Sequence, residues 1–430
     1  FCDSGGMRSL YIDGAWRDSA SSEALDVVDP ATEQVIDTVP AGAAEDVDAA
    51  VEAAAAAFPG WAALTHGQRV THLAKALELF NARIDDVAAV LTRDMGAPAV
   101  FSRKVQAGLP ALMFQTYIDL VEEHGERYFG GERQGNSLIV HEPVGVVGAI
   151  TPWNYPLHQI VLKVVPALLA GNTVVLKPSE VAPLSAYSLT EVFDEAGLPA
   201  GVFNLVSGTG PVVGEAIAAH PKVDMVSFTG STRAGTRVSQ VAAETVKKVA
   251  LELGGKSPNV ILPGADLVKA VKRGVADVMR NTGQSCNALT RMLVHRDSYE
   301  EAVSLAAESA AKYVPGDPTD EATRMGPLVS QAQLEKVRGY ISLGVEEGAR
   351  LVTGGAETVE GRESGYYVEP TVFADVRNDM RIAQEEIFGP VLVMIPYDTV
   401  EEAVEIANDT VYGLNAAVWS GDPEQGMAVA

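Results

Sequence analysis

The chain has 430 residues, of which 47% are hydrophobic and 21% charged, with a mean hydropathy of +0.09. This excludes a disordered chain and allows about three domains of roughly 150 residues each. A formal charge of -25 and a pI of about 4.6 set most of the surface against a polyanion, so no nucleic-acid partner is expected. A dinucleotide is not excluded, because local backbone N–H groups can hold its two phosphates.

No apolar run reaches the roughly 18 residues of a membrane span. The most apolar region, 155 to 176, is broken by Pro156, Lys163 and Pro166, and no membrane partner is expected. The two cysteines, Cys2 and Cys286, form neither a disulfide framework nor a CxxC metal pair. A reducing cytoplasm is the natural compartment, and no metal site is expected. Residues 1–6, "FCDSGG", lack the basic and apolar regions of a signal peptide and read as a cloning scar ahead of a start at Met7, so Cys2 is assigned no function.

In chain order, "AAEDVDAAVEAAAAAF" (43 to 58) predicts a helix with acidic residues in its first turns, ended by Pro59 and Gly60. Helical periodicity runs through 68 to 95 and is closed by Gly96. Residues 125–143 read as a hairpin-like excursion. From about 140, short β-type runs alternate with helical segments: "VGVVGAIT", "NTVVLKPSE", "GVFNLVSG", "MVSFTGS" and "NVILP". A second series follows from 285 to 419, with "TRMLVHR", "YYVEPTVFADV", "GPVLVMIPY" and "NAAVWSG". This alternation predicts βαβ units around mostly parallel sheets, better divided into two α/β domains than one. The last residues, "VWSGDPEQGMAVA", enter what reads as the start of a helix.

The chemistry-bearing candidates are individually ambiguous. "SGTGPVVG" places its third glycine one position late for GxGxxG, and "TGSTRAGTR" has P-loop glycine spacing with Thr236 where the lysine belongs. What survives is a strand entering a helix at Gly230 and Ser231, where N–H groups could accept a phosphate or where Gly and Ser simply shape a turn. Lys177 and Glu180 of "LKPSE" stand at a strand end, where an open α/β sheet binds ligands. There Glu180 could hold ribose hydroxyls and oppose the extra phosphate of NADP, or the pair could be a solvated surface pair. Asn154 of "TPWNYP" is a turn former or a donor aimed into a pocket. Glu252 lies between Leu251 and Leu253. In an apolar strand end its carboxyl would be pushed up toward general-base chemistry, whereas on an alternating strand it would point outward. Cys286 of "GQSCNALTR" is, by itself, as readily a small core hydrophobe as a nucleophile.

Together "TPWNYP", "LKPSE", "FTGSTRAG", "LELGGKSPNV", "GQSCNALTR" and "EEIFGPVL" occur in the order and roughly the spacing of the NAD(P)-dependent aldehyde dehydrogenase superfamily. The resemblance covers the chain from about residue 10. It implies an α/β protein with a Rossmann-like nucleotide-binding domain (7–124 and 144–254), an α/β catalytic domain (255–430) and a small β oligomerisation excursion (125–143). By the same resemblance Cys286 is the catalytic thiol, Glu252 the general base and Asn154 the side-chain half of an oxyanion hole completed by the Cys286 N–H. Lys163 falls near the proton-relay region.

Lys177, Glu180, Gly230, Ser231, Glu386, Phe388 and Trp153 resemble contacts to NAD, with NADP as the other cofactor. Tyr155, His158, Gln159, Leu162, Arg280, Ser285 and Asn287 resemble the substrate tunnel, a polar set for a long-chain fatty aldehyde. Arg280 resembles the carboxylate anchor of semialdehyde-type members, and a helix-surface arginine is the other reading. The implied reaction oxidises an aldehyde to a carboxylic acid through a Cys286 thiohemiacetal and thioester, in a homodimer or homotetramer. A CoA-acylating relative is the main alternative, against which Glu252 argues. A cofactor-binding relative without turnover is the other, because family members continue some tens of residues beyond a "VWSGD" strand.

Overall fold

The computed structural model describes residues 7–430, so the readings of Cys2 and of residues 1–6 lie outside it. The chain divides into two compact units. One comprises residues up to Asp29, Gln34–Met95 and Val100–Glu252; the other comprises Pro30–Glu33, Gly96–Ala99 and Leu253–Ala430.

The first unit is built on a seven-stranded sheet in the order Lys248–Glu252, Met225–Thr229, Val146–Ile150, Thr173–Lys177, Phe203–Leu205, Leu10–Ile12, Ala15–Arg17. Its first five strands are parallel and the last two join antiparallel. Val146–Ile150 and Thr173–Lys177 are buried at every position, which is why they read in the sequence as continuous apolar runs. From Val146–Ile150 the chain steps one way to Thr173–Lys177 and Phe203–Leu205, then returns to the other side for Met225–Thr229 and Lys248–Glu252. The strand order therefore reverses between Val146–Ile150 and Met225–Thr229, and such a reversal opens a crevice at the carboxyl ends of the strands.

Two helix predictions need correction. The first helix, Ala44–Ala62, runs through Pro59 and Gly60 instead of stopping there. Trp61 explains this: it is 1% exposed and its Nε1 donates to the Leu168 carbonyl at 3.0 Å, so tertiary burial overrides the local stop signal. Trp61→Ala removes a buried indole and one hydrogen bond to that carbonyl, which keeps the Gly171 N–H as a donor at 3.0 Å. It is expected to cost about 3–5 kcal/mol of stability, read as a lower denaturation midpoint; a shift under about 1 kcal/mol would mean that the helix end is held by other contacts. The second prediction, helix through 68 to 95, is two helices, His66–Ala82 and Ile84–Met95, separated at Arg83.

At 125 to 143 the helix Gly108–Phe129 continues to Phe129, and an exposed two-stranded hairpin follows, Glu132–Gln134 paired with Ser137–Ile139.

The second unit holds a six-stranded sheet in the order Arg350–Thr353, Thr371–Ala374, Val391–Tyr397, Arg291–His295, Pro258–Ile261, Ala417–Trp419, parallel except for its first pair. Its four inner strands are buried at nearly every position, while the edge strands Arg350–Thr353 and Ala417–Trp419 are half-buried or exposed. Val391, Val393 and Ile395 enter one core with Phe373, while Leu392 and Met394 enter another with Val372 and Val275, as period-two alternation requires. The last helix, Pro423–Val429, is capped by Asp422. Among the described residues no helix is long and apolar enough to cross a membrane.

Candidate active site

In the first unit, parallel register brings the chemistry-bearing residues to one edge of the sheet. Lys177 pairs with Ile150, Phe228 with Ile150, and Thr229 with Glu252, so the segments after these strands all leave from the carboxyl edge. Lys177 is buried, not solvated, and its Nζ meets Glu180 Oε2 at 2.7 Å. Burial holds the Lys177 ammonium below the usual lysine range and Glu180 opposes that effect.

Gly230 N–H donates to the Glu252 carbonyl at 3.0 Å, tying the turn to the edge strand. Ser231 is the exposed N-cap of the helix Thr232–Ala243, its Oγ accepting from Ala234 N–H at 3.3 Å. A twelve-residue helix begins there, and its first-turn N–H groups and dipole suit an anion. The other glycine-rich candidate, "SGTGPVVG", forms a π-helical turn at Gly210–Gly214 instead of a phosphate loop.

Asn154 lies at the crevice where the strand order reverses. It is buried, and its carbonyl accepts from Gln106 Nε2 at 3.0 Å. Trp153 and Tyr155 beside it are half-buried, and Tyr155 precedes the helix Pro156–Leu169. On that helix Gln159 Oε1 accepts from Thr229 Oγ1 at 3.2 Å, and Lys163 Nζ donates to Ser227 Oγ at 3.2 Å. This i,i+4 pair therefore faces the strand Met225–Thr229. His158 and Leu162 on the same helix are half-buried.

Burial pushes the Lys163 amine down to about 8, with the Glu252 carboxylate opposing. Glu252 itself is exposed. Along Lys248–Glu252, Val249 and Leu251 are the more buried positions while Lys248, Ala250 and Glu252 face out. The apolar enclosure suggested by Leu251 and Leu253 is replaced by ordinary strand alternation.

In the second unit, Cys286 sits half-buried on a loop whose preceding residues, Asn281 to Ser285, are all buried. It is the only cysteine among the described residues. Asn287 is exposed, and its carbonyl accepts from Asn415 Nδ2 at 2.9 Å. Arg280 follows the helix Leu267–Met279, with its guanidinium 3.8 Å from Asp277 and 40% exposed.

Three consecutive residues, Asn281, Thr282 and Gly283, have left-handed φ of 53°, 55° and 72°. For the two non-glycine residues this conformation costs roughly 1–2 kcal/mol each. At Gly283 no side chain fits, because a Cβ would stand 2.0 Å from the Gly389 carbonyl carbon. The thiol loop therefore packs directly on the segment bearing Glu386 and Phe388. Glu386 Oε1 accepts from Gly255 N–H at 3.0 Å, and a Cβ on Gly255 would stand 2.3 Å from the Cys286 carbonyl oxygen. The Gly254–Gly255 backbone is thus the spacer between Glu386 and Cys286. Burial pushes the Glu386 carboxyl up, opposed by the Gly255 N–H, Lys336 and Lys256. Phe388 has φ +63°, and its carbonyl accepts from Gln333 Nε2 at 2.7 Å.

Several residues here escape sequence reasoning. Gln333 and Lys336 belong to a helix with no motif. Lys256 lies in the quoted "LELGGKSPNV", yet its complete burial has no signal beyond the apolar strand that follows. Burial, and next the charge of Arg291, push its amine down to about 7. A pocket of about 400 Å³ lies beside it, lined by Lys256, Ser257, Asn408, Thr410, Tyr412 and Asn415 among others.

A doubly wound sheet with an anion-ready helix start, and a separate α/β unit presenting one thiol near a half-buried carboxylate, fit the class of a dinucleotide-dependent enzyme. The aldehyde dehydrogenase family model matches residues 16–430, and the chain belongs to that family. A 3-succinoylsemialdehyde-pyridine dehydrogenase from Pseudomonas sp is 50% identical over 424 residues, covering 98% of this chain and 88% of the relative. Among solved structures, aldehyde dehydrogenase C from Pseudomonas syringae, a cysteine-to-alanine mutant in complex with NAD+ and octanal, superposes with a TM-score of 0.97 at 49% identity, covering 100% of this chain and 88% of that one. An aldehyde dehydrogenase from Bartonella henselae gives 0.96 at 44% identity, covering 98% and 89%.

Proposed function

We propose that this aldehyde dehydrogenase oxidises an uncharged alkyl or aryl aldehyde to the carboxylic acid, with NAD+ as the hydride acceptor. The observation that carries the reading is the Cys286 loop: a half-buried thiol on a buried, hydrogen-bonded base, spaced by Gly254 and Gly255 from Glu386. In this reading the Cys286 thiolate adds to the aldehyde carbon, and the Cys286 N–H and the Asn154 amide donate to the oxyanion. Bound NAD+ supplies the acceptor for the hydride, leaving a thioester on Cys286. Glu252 then takes the proton from the water that hydrolyses it, and Lys163 passes that proton on.

The protein's own groups fit a dinucleotide. Lys177 and Glu180 offer a donor and an acceptor for ribose hydroxyls, Gly230 and Ser231 open a helix toward phosphate, Trp153 flanks the crevice, and Glu386 and Phe388 serve the nicotinamide ribose. Glu180 sets a negative charge against a 2′-phosphate, which favours NAD over NADP. The octanal bound in one relative and the pyridine-bearing semialdehyde for which the other is named support an uncharged substrate. Tyr155, Gln159, Leu162, Ser285 and Asn287 line its path. Arg280, loosely paired with Asp277, is the feature that favours a carboxylate-bearing semialdehyde instead. The exposed hairpin and the domain boundaries at 124, 143 and 254 belong to the same reading, in a homo-oligomer of a reducing cytoplasm.

The test is NADH formation at 340 nm with NAD+ or NADP+ against octanal, an aryl aldehyde and succinate semialdehyde. The expected result is turnover with NAD+ on octanal or the aryl aldehyde. A preference for succinate semialdehyde that Arg280→Ala removes would move the assignment to the carboxylate reading.

A further inference from the structure

We propose that Gln284 is the positioning residue of the nucleophile. Its side-chain amide holds the left-handed turn at 281 to 283 and thereby fixes where Cys286 and its N–H lie. The inference rests on the reading of Cys286 as the nucleophile.

Gln284 is 1% exposed and uses both ends of its amide. Nε2 donates to the Asn281 carbonyl at 3.1 Å, and Oε1 accepts from Val329 N–H at 3.0 Å. Its backbone closes the same ring: Gln284 N–H donates to the Asn281 carbonyl at 3.1 Å, and Asn281 Nδ2 donates to the Gln284 carbonyl at 3.2 Å. Thr282, the residue least suited to positive φ, is held from outside by its Oγ1 donating to the Gly326 carbonyl at 3.1 Å. The far end of the loop is fixed by Leu289 N–H donating to Asp277 Oδ2 at 3.0 Å.

Strained backbone persists only where its surroundings over-determine it. Among the groups that hold this turn, the Gln284 amide is the one that ties it to the Val329 segment, two residues before the thiol. Without that amide the turn can relax toward right-handed φ, and the Cys286 N–H then turns with it. A displacement of about 1 Å at a reacting group can cost on the order of 10²-fold in rate.

Two variants decide the matter. Gln284→Met keeps the volume and removes both hydrogen bonds. Gln284→Glu keeps the acceptor for Val329 N–H, but once ionised it turns an oxygen against the Asn281 carbonyl; protonated, it donates there as glutamine does. Burial raises that carboxyl, so its titration falls at higher pH than for an exposed glutamate. The expected result for Gln284→Met is a kcat lower by about 10²-fold at all pH values, with KM for NAD+ unchanged. Gln284→Glu should show a ratio to the wild type that climbs as the pH is lowered from about 8.5 to about 6, read well below the melting temperature, which itself falls as the buried carboxyl ionises.

A flat ratio, measured where both proteins are fully folded at every pH, would overturn the proposal and leave Gln284 a packing residue. If the Met variant fails to fold, the Glu variant alone decides. Iodoacetamide alkylation of Cys286 separates this inference from the reading beneath it. An alkylation rate in Gln284→Glu equal to the wild type at high pH overturns the positioning role alone. Turnover that survives Cys286→Ala overturns the nucleophile assignment.

Discussion

Cys286→Ala is expected to abolish NADH formation while leaving NAD+ binding in place. Alanine keeps the backbone N–H at 286, and the loop is pinned at Asp277, Gly326 and Val329, none of which involves the sulfur. The buried base of the loop should therefore survive the substitution, and only the nucleophile is lost. Removing a covalent nucleophile from a machinery that acts as a unit costs on the order of 10⁶-fold in turnover. The residues proposed for the adenosine end of the cofactor, Lys177, Glu180 and Ser231, belong to the other unit. Calorimetric titration with NAD+ should return an affinity close to the wild type. Turnover within about tenfold of the wild type would mean that no covalent intermediate on Cys286 is needed.

Much of this was legible because parallel strands buried on both faces leave continuous apolar runs. "VVLK" and "VLVMIPY" could be placed within a residue or two, and the segments following them carried the quoted motifs. Strand order was not legible. Nothing local says that Met225–Thr229 returns to the far side of Val146–Ile150, yet that reversal makes the crevice. The early strands Leu10–Ile12 and Ala15–Arg17 are three residues each, too short for a period to show.

For Glu252 the sequence left an enclosed and an outward-facing reading open, and the strand alternation selects the outward one. Leu251 and Leu253 flank it in sequence, but in a strand the flanking residues point to the opposite face, so they say nothing of its enclosure. The left-handed turn was hidden for a different reason. Asn281 and Gly283 are residue types that tolerate positive φ, whereas Thr282 is not, and its conformation is imposed by the Gly326 carbonyl 44 residues away. Pro59 failed as a helix stop because the burial of Trp61, read only from tertiary packing, outweighs it.

Glu252→Gln should separate acylation from deacylation. If Glu252 activates the hydrolytic water, the variant still forms the thioester. A rapid burst of about one NADH per active site is then followed by slow turnover. Deleting a general base typically costs about 10²–10⁴-fold, which here falls on the second phase alone. Loss of the burst itself would move Glu252 to activation of the thiol.

The pH dependence carries a second, independent sign. The Lys163 amine is pushed down to about 8 by burial, and the Glu252 carboxylate is the charge that opposes this. Gln at 252 removes the opposing charge, so Lys163 loses its proton at a lower pH than in the wild type. If Lys163 carries the proton released in deacylation, the limb of the slow phase near pH 8 moves to lower pH in the variant. A limb that stays in place belongs to another group, and Lys163 then has no part in the proton path.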